Sequence, residues 1–156
     1  MAAHAWLADR ADADAVASLL VAFRNHLGSD DPPDEAFLAS VERIIDEQSS
    51  EYLLGAPSRD AEPTGVVQLR YRWSVWSDAE DCELEDLFVD PAARRAGLGR
   101  ALVAAAIDRA RARGCRRIAL DTAERNQAAV ALYRSFGFSG EAHEGGRAML
   151  MRLWLD

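Results

Sequence analysis

Apolar positions change their spacing several times along the chain, and each change marks an element. Ala5-Trp6-Leu7-Ala8 reads as a short opening strand. Val16, Leu19, Leu20, Phe23 and Leu27 then recur at helical spacing up to Gly28, a natural stop. Ser29-Asp30-Asp31-Pro32-Pro33-Asp34 predicts a loop whose prolines favour the start of a second helix, with Phe37, Leu38, Val41, Ile44 and Ile45 on one face. Tyr52-Leu53-Leu54 reads as a strand, followed by a polar, Pro-containing loop from Gly55 to Gly65. From Val66 to Trp76 the period falls to two. There Val67, Leu69, Tyr71, Trp73 and Val75 alternate with Val66, Gln68, Arg70, Arg72 and Ser74, as in a long strand. A turn over Asp78 to Asp81 leads into a further strand, Glu83–Val89.

Helical spacing returns from about Gly99 to Arg113, where Leu102, Val103, Ala106, Ile107 and Ala110 form a buried stripe closed by Gly114. A short strand over Arg117–Asp121 precedes a helix from about Asn126 to Phe136, stopped by Gly137. The Gly145-Gly146 turn leads to Ala148–Leu155, whose alternation predicts a last strand. Leu150, Leu153, Trp154 and Leu155 place apolar residues on both of its faces, so this strand needs cover. The order of strands and helices predicts an α/β architecture around a central mixed sheet, as one domain over residues 1–156 without repeats or linkers.

Chemistry concentrates where Leu84-Glu85-Asp86-Leu87-Phe88-Val89 runs into Arg94-Arg95-Ala96-Gly97-Leu98-Gly99. Glycines at 97 and 99 let backbone approach a ligand with no Cβ in the way. The first-turn N–H groups of the following helix and its dipole then favour an anion. Asn126 and Tyr133, seven residues apart, share a helix face about two turns long.

These runs, with Glu124-Arg125-Asn126-Gln127-Ala128-Ala129-Val130-Ala131-Leu132-Tyr133, resemble the core of the GNAT N-acetyltransferase superfamily, and most nearly its polyamine (spermidine/spermine) and thialysine branch. The resemblance implies an acyl-CoA N-acyltransferase fold, with roughly six to seven strands in a mixed sheet flanked by about four helices. It also implies transfer of the acetyl group of acetyl-CoA, as cosubstrate, to a primary amine of a small cationic acceptor such as a polyamine, a lysine-like amino acid or an aminoglycoside. In relatives the pantetheine arm pairs with strand backbone, here that of Leu87, Phe88 and Val89. The diphosphate maps to Arg94, Arg95, Ala96, Gly97, Leu98, Gly99 and Arg100, and Asn126 to a contact with the arm. An alkyl ammonium of pKa about 10.4 is neutral in only a few parts per ten thousand at pH 7, so a base must collect its proton. Glu85 matches the branch's glutamate, and Asp86 suits the substrate ammonium. Tyr133 would protonate the departing thiolate, and the Leu87 N–H would steady the oxyanion.

Two other readings compete. One is a protein lysine or N-terminal acetyltransferase; the other is a non-catalytic acyl-CoA-binding sensor on the same fold, against which Glu85 and Tyr133 argue. The polyamine enzymes carry residues after the last strand, where this sequence ends at Asp156, so the amine class is better supported than the polyamine itself. Relatives in that branch are homodimers, which predicts a homodimer with the last strand at its interface.

Composition sharpens this only at the margins. The net charge of −8 is uneven: residues 1–93 carry −14 and residues 94–156 carry +6, which suits a cationic acceptor in the first part and an anionic cosubstrate in the second. All 18 basic residues are arginine, and an acidic chain without a basic face disfavours nucleic acid. No run approaches the roughly 20 apolar residues of a membrane span, and the opening Met-Ala-Ala-His-Ala-Trp lacks a secretory pattern. Cys82 and Cys115 lack metal-ligand spacing, and His4, His26 and His143 are scattered, so no metal site and a cytoplasmic location are expected.

Overall fold

The computed structural model describes residues 2–155. The chain divides into two compact units, one ending at Leu120 and the other beginning at Asp121. In the larger unit five strands form one sheet in sequence order: β1 (His4–Leu7), β2 (Ser50–Ala56), β3 (Gly65–Ser74), β4 (Ala79–Val89) and β5 (Ile118–Ala119). The first three pairings are antiparallel and β4–β5 is parallel, so the sheet is mixed as expected. Of the four α-helices among the described residues, three lie in this unit: α1 (Ala13–His26), α2 (Asp34–Asp46) and α3 (Leu98–Ala112); α4 (Gln127–Ser135) belongs to the smaller one.

Alternation assigns each sheet residue to a face. Tyr52, Leu54, Val66 and Phe88 join Val16, Leu19, Leu20 and Val41 in one buried cluster, so α1 and α2 cover that side. Leu53, Val67 and Leu69 point the other way, beneath α3, and are buried too. The period of two holds through β3 and divides its residues between the two faces of the sheet. Between Gly65 and Leu69, however, helices cover both sides and every residue is buried, Gln68 included.

Helix α3 sits tightly on the sheet because Gly55 and Gly65, paired in register, lie under its first turns. A Cβ at Gly55 would meet Leu98 Cδ1 at 2.7 Å, and one at Gly65 would meet Leu102 Cδ1 at 2.9 Å. The far end of α3 is fixed by charge. Arg109 donates two hydrogen bonds of 2.8 Å to Glu51, and Arg113 stacks over Tyr71 at 3.9 Å. Burial opposes the Glu51 charge, but the hydrogen bond and charge of Arg109, with that of Arg113, outweigh it and hold this carboxyl below its usual range.

In the smaller unit, α4 is capped by Asn126, whose Oδ1 accepts from Ala129 N at 3.3 Å. A turn follows in which Ala142 N donates to Gly146 O and Ala148 N to Gly140 O. The expected strand Ala148–Leu155 does not form: no strand spans those residues, and the sheet has five strands where six to seven were expected. Alternating apolar side chains make a strand only when a neighbour supplies a ladder of backbone hydrogen bonds, and the one bridge here, Glu141 to Arg147, stops short of the segment. Nor is it buried on two faces, since Leu153, Trp154 and Leu155 are all exposed.

Candidate active site

Strand β4 carries the first group of candidate residues, and a bulge shapes it. Val66 of β3 pairs with Phe88 and Gln68 with Glu85, so two β4 residues, Asp86 and Leu87, oppose the single Val67. Asp86 takes the extra turn with a left-handed φ of 55°, a conformation that Asp tolerates better than most side chains. The bulge takes Leu87 out of one-to-one pairing at the head of Leu87, Phe88 and Val89, the segment expected to pair with a pantetheine arm.

Glu85 and Gln68 pair across the strands on the sheet face covered by α1 and α2, and Tyr52 pairs with Gln68 on the same face. Arg70 donates from Nη2 to Glu85 Oε2 at 3.1 Å. Burial pushes the Glu85 carboxyl above its ordinary range, and the negative charges of Asp86 and Glu83 add to this; Arg70 opposes the rise without cancelling it. A carboxyl so placed is a better proton acceptor than a free glutamate. Asp86 is exposed at the bulge.

Beyond Val89 the chain is tied down before it reaches α3. Asp90 N donates to Thr64 O at 2.8 Å, and Asp90 Oδ1 accepts from Ala92 N at 2.9 Å across the single turn Pro91–Ala93. Arg94 reaches back, donating from Nε to Val89 O at 3.1 Å, and its Nη2 lies 3.5 Å from His26 Nε2. Arg95 and Gly97 both adopt left-handed φ, 70° and 77°, which folds the loop tightly onto the start of α3. Gly97 is the residue before the helix and supplies no side-chain cap, so the first-turn N–H groups keep their capacity for an outside acceptor. A Cβ at Gly97 would meet nothing within 4 Å: the space beside that turn is open. Leu98 is buried, whereas Arg94, Arg95, Ala96 and Arg100 are exposed and Gly99 is half-buried. An uncapped helix start with open space and three arginines around it fits a diphosphate.

The larger unit thus gathers Glu85, Asp86, Leu87, Phe88, Val89 and the loop 94–100 around one strand end and one helix start. Asn126 and Tyr133 lie in the smaller unit. Asn126 is a helix cap, with its side-chain oxygen engaged. Tyr133 is buried, with its ring edge-on to Phe138 at 5.8 Å between centroids. Burial, and secondarily the charge of Asp121, raises the Tyr133 phenol above its ordinary range, so it holds its proton at neutral pH.

Four contributors escaped the sequence reading. Tyr52, Gln68 and Arg70 join Glu85 through cross-strand register, which no local pattern reveals. His26 reaches Arg94 from the end of α1, its ring 6.2 Å from that of Phe88, which in turn stacks on Phe23 at 5.1 Å. Among the described residues no group of three or more His, Cys, Asp or Glu is placed to hold a metal ion, and no helix is long and apolar enough to cross a membrane.

The chain has relatives among known proteins. The model of the acetyltransferase (GNAT) family matches residues 13–138. Over 93 residues the chain is 39% identical to the aminoglycoside N(6')-acetyltransferase type 1 of Klebsiella aerogenes, covering 56% of this chain and 59% of that protein. Over 60 residues it is 42% identical to the [ribosomal protein bS18]-alanine N-acetyltransferase of Escherichia coli K12, covering 38% of this chain and 40% of that protein. The matched stretch is therefore less than two thirds of either relative. Among solved structures, AAC(6')-Iy in complex with the bisubstrate analogue CoA-S-monomethyl-acetylneamine superposes with a TM-score of 0.75 over 99% of this chain and 100% of its own, at 22% identity, a likeness of fold.

Proposed function

Because the chain belongs to the acetyltransferase (GNAT) family, we propose that it moves the acetyl group of acetyl-CoA directly to a primary amine of a small cationic acceptor. The observation that carries this reading is the continuity of a bulged β4, bearing a carboxyl of raised proton affinity, with the uncapped start of α3. Acetyl-CoA supplies an activated acyl group. Arg94, Arg95, Arg100 and the amides beside Gly97 hold its diphosphate, and the backbone of Leu87 to Val89 aligns its pantetheine arm. Asn126, while capping α4, would reach that arm through its amide nitrogen.

Glu85 takes the proton of the incoming ammonium, through water or directly, and Asp86 holds its charge. The Leu87 N–H donates to the oxygen on which negative charge collects, and Tyr133 returns a proton to the thiolate. The acidic residues before 93 favour a cationic acceptor. The test is acetyl-CoA consumption with spermidine, thialysine, lysine, an aminoglycoside and peptides. Turnover with a small amine supports the proposal. Turnover with peptides alone points to a protein acetyltransferase, and binding without any turnover to a sensor.

Glu85→Gln is expected to lower the rate most just above the acidic limb of the pH profile, where Glu85 is ionised and free amine is still scarce. The sign follows from burial: a raised carboxyl takes up its proton at higher pH than an ordinary glutamate near 4.3, so the acidic limb of kcat/KM lies above that value. The variant should lose that limb. A profile that keeps its shape and height places the base elsewhere.

We also propose a homodimer. Met149, Leu150, Met151, Leu153, Trp154 and Leu155 are each more than half exposed, a run of apolar surface that a second copy would cover. Light scattering at micromolar concentration is expected to give twice the 17.1 kDa chain mass. An active monomer would refute the assembly while leaving the chemistry intact.

A further inference from the structure

Gln68 is the one buried side chain beside the candidate base whose hydrogen bonds do not close. It is 2% exposed, its Nε2 has no hydrogen-bond partner, and its Oε1 accepts from the Tyr52 hydroxyl at 3.4 Å. Whichever way the amide is turned, the pair can make one hydrogen bond between them from three protons, so two donors are left over. Buried donors without acceptors oppose folding, and one reason a protein keeps them is that another state of the site uses them.

The nearest acceptor by register is Glu85, directly across from Gln68 on the same face of the sheet. Its carboxylate leans instead toward Arg70, two residues along β3 and away from the bulge, in an ion pair of 3.1 Å. Arg70 is half exposed in that pair, and a partly solvated ion pair holds its members weakly. On β3, then, Arg70 holds Glu85 in an ion pair on the far side, while the surplus donors of Gln68 stand opposite it on the side toward the bulge at Asp86 and Leu87.

We propose that Gln68 is a positioning residue for Glu85: its amide receives the carboxylate when Glu85 leaves Arg70, and so sets it beside the bulge where the amine arrives. The inference rests on the reading of Glu85 as the base. Tyr52 orients the amide from behind, being itself 2% exposed, so its hydroxyl is held in place. The groups facing Glu85 are Arg70 from β3, Tyr52 from β2, and Glu83 and Asp86 from its own strand. No proton changes hands between Gln68 and Glu85; the amide fixes the position of the acceptor oxygen and favours its charged form.

The test is Gln68→Met, made in the wild-type chain and in Glu85→Gln, with the best amine from the panel above. In the wild-type chain, turnover should fall on the order of tenfold at constant KM for acetyl-CoA, because the lost contact acts on the base and not on the cosubstrate. The acidic limb of the profile should move to higher pH, since a hydrogen bond that favoured the carboxylate is gone. In the Glu85→Gln background the same change should have almost no further effect, the signature of two residues acting through one another. The melting temperature should hold or rise, because a methionine of similar size removes buried donors that lacked acceptors. Equal losses in both backgrounds, or an unmoved acidic limb, overturn the role of Gln68 while leaving Glu85 as the base. If Glu85→Gln itself changes nothing, the base assignment fails and the inference falls with it.

Discussion

Gly97→Asp is expected to abolish measurable acetyl-CoA binding. The residue stands at the start of α3 with open space beside it, so the new carboxylate meets no steric obstacle and projects where a diphosphate would sit. Two like charges about 4 Å apart repel by about 4 kcal/mol at an effective dielectric of about 20, close to a thousandfold in affinity. The same substitution also puts a side chain on a left-handed φ of 77°, which costs roughly 1 kcal/mol in its own right. Gly97→Asn separates the two, since it carries the same backbone strain without the charge. Calorimetric titration should therefore show Asn binding within about tenfold of wild type and Asp not at all, with similar melting temperatures for both. Near-native affinity of the Asp variant would remove the diphosphate from this helix start.

Tyr133→Phe should cost on the order of a hundredfold in turnover, with the KM for acetyl-CoA little changed. The phenol is kept protonated by burial and by Asp121, and the ring is held edge-on to Phe138. Phenylalanine keeps that packing and loses only the proton donor. Since the contribution of an acid to a departing thiolate is made in the transition state, the loss should fall on kcat. The raised phenol also sets a sign at the alkaline end: any fall in rate caused by its ionisation lies above the usual tyrosine value of about 10. An unchanged kcat would make Tyr133 a packing residue and leave the thiolate to water.

What could be read in advance was what is local. Helix stripes and glycine stops placed α1, α2, α3 and α4 to within a few residues, because the period of 3.6 and the caps are written in consecutive positions. The loop from Arg94 to Gly99 leading into a helix start was legible for the same reason, and the anion site proposed there draws only on glycines, arginines and backbone amides close in sequence. The bulge was not legible. That two residues, Asp86 and Leu87, stand opposite Val67 depends on how two strands come into register, and Gln68 and Arg70 reach Glu85 through that register alone. Gln68 alternates with apolar neighbours along its strand, and its burial on the side of α1 and α2 is a tertiary effect that the strand's own pattern does not carry. The residues after Ala148 erred the other way, since their alternation promised a strand for which no partner ladder exists.

The close seat of α3 over Gly55 and Gly65 has a consequence for anyone seeking a hardier version of the protein. Replacing glycine by alanine normally stabilises by about 0.4–1 kcal/mol, because the unfolded chain loses freedom. At these two positions the added carbon would press on the buried side chains of Leu98 and Leu102, which would have to shift within the helix whose first turn is assigned to the diphosphate. Robustness and cosubstrate affinity are there in opposition. Gly140 offers the safer trade: its backbone is not left-handed, a Cβ would find nothing within 4 Å, and it lies outside the assigned loop.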